Sequence, residues 1–182
     1  MSGVSDYRLS RLGYYADFAT APAAVALSWA LTGEKDLATA ALAALCGLAS
    51  WTLVEYWVHR VVFHGVRPLK SQHAIHHKLP EDLIGVSPVS TLAAFVALGA
   101  GLPLLLGASA GVGGFTGLIL GYLLYILAHD TFHHRPPNAG SPLRAAYLRH
   151  ELHHRLYDVN FGVQPLAAVW DWVFRTLRRP RT

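Results

Sequence analysis

The chain has 182 residues, 53% of them hydrophobic and 14% charged, with a net charge of +4 and one cysteine. One domain's length with so large an apolar excess is a membrane composition, and a lone cysteine excludes a disulfide framework. Neither feature points to a nucleic-acid partner.

Four apolar runs follow one another at about 15–31, 37–62, 89–106 and 112–128, each near the length that crosses a hydrocarbon core. The polar segment 1–12 ahead of them has no separate short apolar core with a cleavage site, so it does not read as a cleavable signal. The first run is the least regular. Asp17 and Pro22 fall in its opening turns, and a tilted or partly interfacial helix accounts for it as well as a full span does. Cys46 lies inside the second run and reads as a packing residue. The glycine-rich, uncharged stretch 108–114 reads as a tight outer turn between the third and fourth runs. Pro136, Pro137 and Gly140 separate the fourth run from a last helical stretch beginning near Pro142.

Arg8 and Arg11 precede the first run, Arg60, Arg67, Lys70 and Lys78 follow the second, and eight arginines follow the fourth, whereas Lys35 alone stands on the other side. The positive-inside rule therefore predicts that both termini and the loop 63–86 are cytoplasmic. Twelve arginines against three lysines, with abundant alanine and leucine, suggest a bacterial cytoplasmic membrane and a GC-rich genome. The expected fold is all-α: one integral membrane domain over 1–182 with about four transmembrane helices and a cytosolic helical cap. In that topology the segments 59–86 and 129–182 meet on one side of the membrane.

All eleven histidines lie in those two segments, as His59/His64, His73/His76/His77, His129/His133/His134 and His150/His153/His154. Neutral imidazole is the commonest metal ligand, and scattered core or surface histidines would not segregate this way. Residues three and four apart share a helix face, so the second and fourth clusters can each present three imidazoles to a metal pair, and His129/His133 add two. The i, i+5 spacing of His59 and His64 suits an ideal α-helix poorly; it predicts unwinding between them, or His64 just beyond the helix end. Ten candidates imply two metals.

A metal-sequestering tract would be contiguous and flexible rather than set at helical spacing. His150-Glu151-Leu152-His153-His154 also fits the H-E-x-x-H zinc metalloprotease pattern, and an intramembrane protease is the alternative of another class. Even with a third histidine ligand granted beside His150 and His154, that reading leaves eight of eleven histidines unexplained, and it finds no Asn-Pro-Asp-Gly segment to complete it. A di-iron carboxylate bundle needs two Glu-x-x-His motifs, and Glu151 to His154 is the one available.

The boxes His59-x4-His64, His73-x2-His76-His77, His129-x3-His133-His134 and His150-x2-His153-His154, in this order between spans, resemble the fatty acid hydroxylase/sterol desaturase superfamily over roughly 51–177. Supporting flanks are Glu55-Tyr56, the run from His76 to Asp82, Asn160-Phe161-Gly162-Val163 and Trp170-Asp171. The resemblance implies an O₂-dependent membrane oxygenase with two iron ions, electrons from a separate donor such as a cytochrome b5-like protein or a ferredoxin with its reductase, and a membrane lipid as substrate. Zinc can replace iron in such a site during purification. Carried over residue by residue, the ligands are His59, His64, His73, His76, His77, His129, His133, His150, His153 and His154. His134, about 100° round the helix from His133, reads as a bystander. Glu55, one turn before His59, is the best candidate to orient an imidazole, with Arg60 or a tyrosine as its purely structural partner; Asp130 and Asp171 are further candidates, or else solvated or capping residues. The basic run 175–181 reads as a membrane-surface anchor and a docking patch for an acidic redox protein. Within the superfamily the flanks look most like fatty acid 2-hydroxylases, with carotenoid ring hydroxylases and then sterol oxidases or desaturases as alternatives.

Overall fold

The computed structural model describes residues 7–179; residues 1–6 and 180–182 lie outside it, and with them the start of the polar leading segment and Arg181 of the basic tail. The elements are α1 (Arg11–Tyr15), α2 (Asp17–Leu31), α3 (Leu37–Trp57) continued by a π-helical turn (Val58–Phe63), α4 (Leu69–Lys78), α5 (Pro88–Leu106), α6 (Ala108–His134), α7 (Arg144–Leu156) and α8 (Ala168–Val173). Among the described residues β pairing is limited to one isolated bridge, Arg8 with Ile84.

Three helices are long and apolar enough to cross a bilayer, Leu37–Phe63, Pro88–Leu106 and Ala108–His134, and the protein is an integral membrane protein. The first of the four expected spans falls short. It forms α2, whose 15 residues reach only about 22 Å against the roughly 30 Å of a hydrocarbon core. Its Asp17 is buried yet satisfied, accepting hydrogen bonds from Thr20 Oγ1 (3.3 Å), Thr91 Oγ1 (2.8 Å) and the Tyr122 hydroxyl.

The chain divides into two compact units, Met1–Trp51 with Leu83–Leu123, and Thr52–Asp82 with Leu124–Thr182. In the first, Ala21, Phe95, Phe115 and Ile119 form the core, and Ser28 Oγ donates to Gly99 O at 3.0 Å. Exposed Leu104 and Leu105, 85% and 80% accessible, suit a lipid-facing surface. Cys46 is exposed too, so it does not pack in this core.

The glycines of 108–114 do not form the expected turn. Gly107 alone, at φ 81°, reverses the chain, and α6 starts at the next residue. The glycines serve close helix packing instead: a Cβ on Gly113 would fall 2.2 Å from Ala40 O, and one on Gly117 would fall 2.0 Å from Ala44 O. Small residues four apart let two apolar helices touch backbone to backbone, the favoured contact where lipid removes the hydrophobic drive. Gly117→Ala is therefore expected to destabilise the protein by about 1–3 kcal/mol, read as a lowered unfolding temperature in detergent.

In the second unit Ala128, Phe132, Ala146 and Val163 form a core under the ends of α6 and α7. This unit carries every histidine of the chain.

Candidate metal centre

Ten histidines gather into two groups of five. His59, His64, His73, His77 and His153 form the first, and His76, His129, His133, His150 and His154 the second; within each group one ligand atom per residue lies within 4.8 Å of all the others. Both helical triads split in the same way. On α4 the i, i+4 pair His73/His77 enters the first group and His76 the second; on α7 the pair His150/His154 enters the second and His153 the first.

The expected unwinding between His59 and His64 takes the form of a π-turn, with His64 as its C-cap. The helix widens into this turn, in which the His64 N–H donates to His59 O. An i→i+5 bond returns residue i+5 over residue i, and this brings both rings to one face.

The nitrogen positions fit cations better than hydrogen bonds. His73 Nε2 lies 3.0 Å from His59 Nε2, 3.1 Å from His64 Nε2 and 3.0 Å from His77 Nε2, and His150 Nε2 lies 2.9 Å from His133 Nε2 and 3.2 Å from His154 Nε2. One ring nitrogen carries at most one proton and cannot satisfy three neighbours. Both nitrogens of His76 and Nε2 of His153 are buried without any partner. Metal–imidazole bonds of about 2.1 Å put ligand atoms up to roughly 4 Å apart, so each group, within 4.8 Å, is slightly wider than a closed coordination shell.

Protonation favours the same chemistry. Burial, ahead of repulsion from neighbouring imidazoles, pushes His64 down to about 3 and His154 down to about 2, and burial pushes His77 down to about 4. His73, His76, His150 and His153 are pushed down by the same causes. Near neutral pH these rings carry free lone pairs.

Two imidazoles are held from behind by one loop. His59 Nδ1 lies 2.6 Å from Phe161 O and His153 Nδ1 lies 2.7 Å from Val159 O, so each N–H donates to a backbone carbonyl and leaves Nε2 for a metal. Glu55, expected beside an imidazole, is instead occupied by this loop: Oε1 accepts from Val163 N (2.7 Å) and Gln164 N (3.0 Å), and Oε2 accepts from Gln164 Nε2 (2.7 Å). Arg60 does not pair with it, donating to the Tyr56 hydroxyl at 2.7 Å. Asp171 is neither solvated nor a cap. It is fully buried and accepts from Phe161 N (2.8 Å), Gly162 N (2.9 Å) and Thr176 Oγ1 (2.7 Å).

Asp130, also buried, pairs with Arg135 Nη2 at 2.7 Å. His134 belongs to neither group, and its Nε2 stands 3.9 Å from Asp130 Oδ1. Glu151 lies on the outer side of α7, 3.9 Å from Arg155 and lining a groove with Arg144, Arg178 and Arg179. The H-E-x-x-H segment thus lacks the inward general base that a metalloprotease needs.

Sequence reasoning missed Tyr157, whose ring packs 4.3 Å from His64 and 4.8 Å from His77, and the role of the 159–164 backbone. The available signal was Asn160, an amino acid tolerant of the left-handed region, found here at φ 53°.

The sequence profile of the fatty acid hydroxylase family matches residues 44–176. Among curated proteins the chain is 36% identical over 145 residues to the fatty acid 2-hydroxylase of Rattus norvegicus, covering 72% of this chain and 38% of that protein. It is 32% identical over 144 residues to a dihydroceramide fatty acyl 2-hydroxylase of Arabidopsis thaliana, covering 72% and 58%. It is 35% identical over 146 residues to a ceramide very long chain fatty acid hydroxylase of Schizosaccharomyces pombe, covering 72% and 41%. The matched region is thus under two thirds of each relative's length, from 38% to 58%. No solved structure matches the chain significantly.

Proposed function

This chain belongs to the fatty acid hydroxylase family, and on that premise we propose that it is an O₂-dependent membrane hydroxylase that oxidises the acyl chain of a fatty acid or acyl lipid at the carbon beside the carboxyl or amide group. The observation that carries the reading is the pair of five-imidazole groups, drawn from four boxes that all fall inside the matched region. The names of two of the three relatives support position 2 of an acyl chain as the site of oxidation, and the third supports the acyl chain of a ceramide.

In this reading the first group holds one iron ion and the second group the other, and 1–182 acts as one hydroxylase domain. When bound, the iron pair supplies the reductive activation of O₂, so that with two electrons and two protons a C–H bond becomes C–OH and the second oxygen leaves as water. The chain's own residues prepare that chemistry. Burial keeps the cap imidazoles neutral, and the 159–164 carbonyls fix two of them as Nδ1–H tautomers. His150 and His153, 1% and 0% accessible, close the centre to water from the α7 side.

The two electrons come from a separate redox protein. The groove lined by Arg144, Arg155, Arg178 and Arg179 offers an acidic donor a complementary surface on α7, the helix that carries His150 and His153. Exposed Val169, Trp172 and Val173 on α8, followed by Arg175, suit an anchor at the membrane surface. The distribution of basic residues supports a cytoplasmic face for the metal side by the positive-inside rule. A bacterial origin rests on composition alone, since the relatives named above are eukaryotic.

Lipid mass spectrometry of cells with and without the expressed protein tests the reading. A gain of about 16 daltons on acyl chains, placed at carbon 2 by fragmentation, is the expected result. Absence of any new hydroxyl on acyl lipids in cells that supply a reductant would overturn it.

A further inference from the structure

The two metal groups differ in how their ligands are held. Four consecutive backbone N–H groups, of Phe161, Gly162, Val163 and Gln164, are received by two buried carboxylates, Asp171 for the first two and Glu55 for the last two. The carbonyls of the same loop receive Nδ1–H of His59 and of His153, both in the first group. Asn160 extends the clamp, its N–H donating to Thr176 O at 3.0 Å and its Oδ1 accepting from Arg178 N at 2.7 Å. Among the described residues no imidazole of the second group makes such a bond to a backbone carbonyl; its His76, His150 and His154, like His64 and His77 of the first group, keep a buried Nδ1 without a partner.

We propose that Glu55 and Asp171 are positioning residues that act through the 159–164 backbone to make the His59/His64/His73/His77/His153 position the tighter and slower-releasing of the two metal positions. The inference rests on the two-metal reading above and adds that its positions are not equivalent. A ring whose N–H is already bonded to a fixed carbonyl is held in the metal-binding tautomer and orientation before the metal arrives. It has less freedom to lose on binding and less to regain on release. Two of five rings in the first group are prepared in this way, and none in the second. A carboxylate that merely stabilised the fold would loosen both positions alike, whereas one that acts through these carbonyls loosens the first alone.

The full chain in detergent, loaded with two equivalents of zinc and challenged with excess chelator, distinguishes these cases when retained zinc is followed by mass spectrometry. The wild type is expected to release zinc in two phases of equal amplitude, with rates separated by about 10–100-fold. His76→Ala should retain the slow phase and His77→Ala the fast one. Glu55→Gln and Asp171→Asn should each accelerate the slow phase at least about 10-fold while the fast phase stays unchanged. A single phase in the wild type overturns the proposal without recourse to any variant. So does a slow phase that disappears in His76→Ala, or acceleration of both phases together in the carboxylate variants. Loading of fewer than two zinc ions by the wild type would instead defeat the two-metal reading itself.

Discussion

Replacing His76 with alanine is expected to remove one metal ion per chain and leave the other, while replacing its sequence neighbour His77 removes the opposite one. The two side chains leave α4 about 100° apart, and this angle directs them to different groups of five. His76 has both ring nitrogens buried and unpartnered, so its loss opens the second group without disturbing a hydrogen bond. His77 Nε2 lies 3.0 Å from His73 Nε2, so its loss opens the first. An oxygenase that needs both ions should lose turnover by at least about 100-fold in either variant, since even outer partners of metal ligands are worth 10–100-fold. Metal analysis separates the two, with about one ion per chain in each variant and two in the wild type. His134→Ala, a residue in neither group, should keep both ions and serve as the control. Loss of both ions together from folded His76→Ala protein would mean that the imidazoles form one cooperative cluster rather than two positions.

What was legible in the sequence follows helical geometry, which is local. The spacings within His73/His76/His77 and His150/His153/His154 depend only on residues four apart, and so the ten-histidine gathering could be anticipated from them. Their division into two groups could not, because it depends on the rotation of α4 and α7 about their axes. The π-turn at Val58–Phe63 was signalled by the awkward i, i+5 spacing, and the expected unwinding takes the form of one widened turn that ends at His64. Glu55 was singled out for its position one turn before His59, although its actual partners, Val163 and Gln164, are more than 100 residues away in sequence. The stretch 108–114 misled because glycine serves two purposes. In a polar context it marks turns, whereas between apolar helices it admits a neighbouring backbone, and α3 supplies that neighbour at Ala40 and Ala44. The first apolar run was judged by composition, and the helix it forms is shorter than the run.

Lowering the pH from about 7.5 to about 5 is expected to strip the metals and then destabilise the metal-free fold, with a dependence steeper than one proton. The direction follows from the cap histidines. In the folded chain His77, His64 and His154 are held down to about 4, about 3 and about 2, all below the ordinary value of 6.5. Between 6.5 and those values the unfolded chain takes up protons that the folded chain refuses, so stability rises with pH across the window and is lost as the pH falls through it. Each such ring contributes at most about 1.4 kcal/mol per pH unit, and less where solvent reaches it, as at His77 and His154. Asp171 works the other way, since burial pushes its carboxyl up and favours the protonated form in the fold. Its single contribution is opposed by seven cap imidazoles, so the histidines set the sign. Metals add to the same slope, because a ligating imidazole must be neutral and every proton bound displaces coordination. Metal content and unfolding temperature measured in parallel across this range check the prediction. Two ions retained at about pH 5, or a loss that follows a single-proton curve, would show that the imidazoles do not act as a coupled, buried set of ligands.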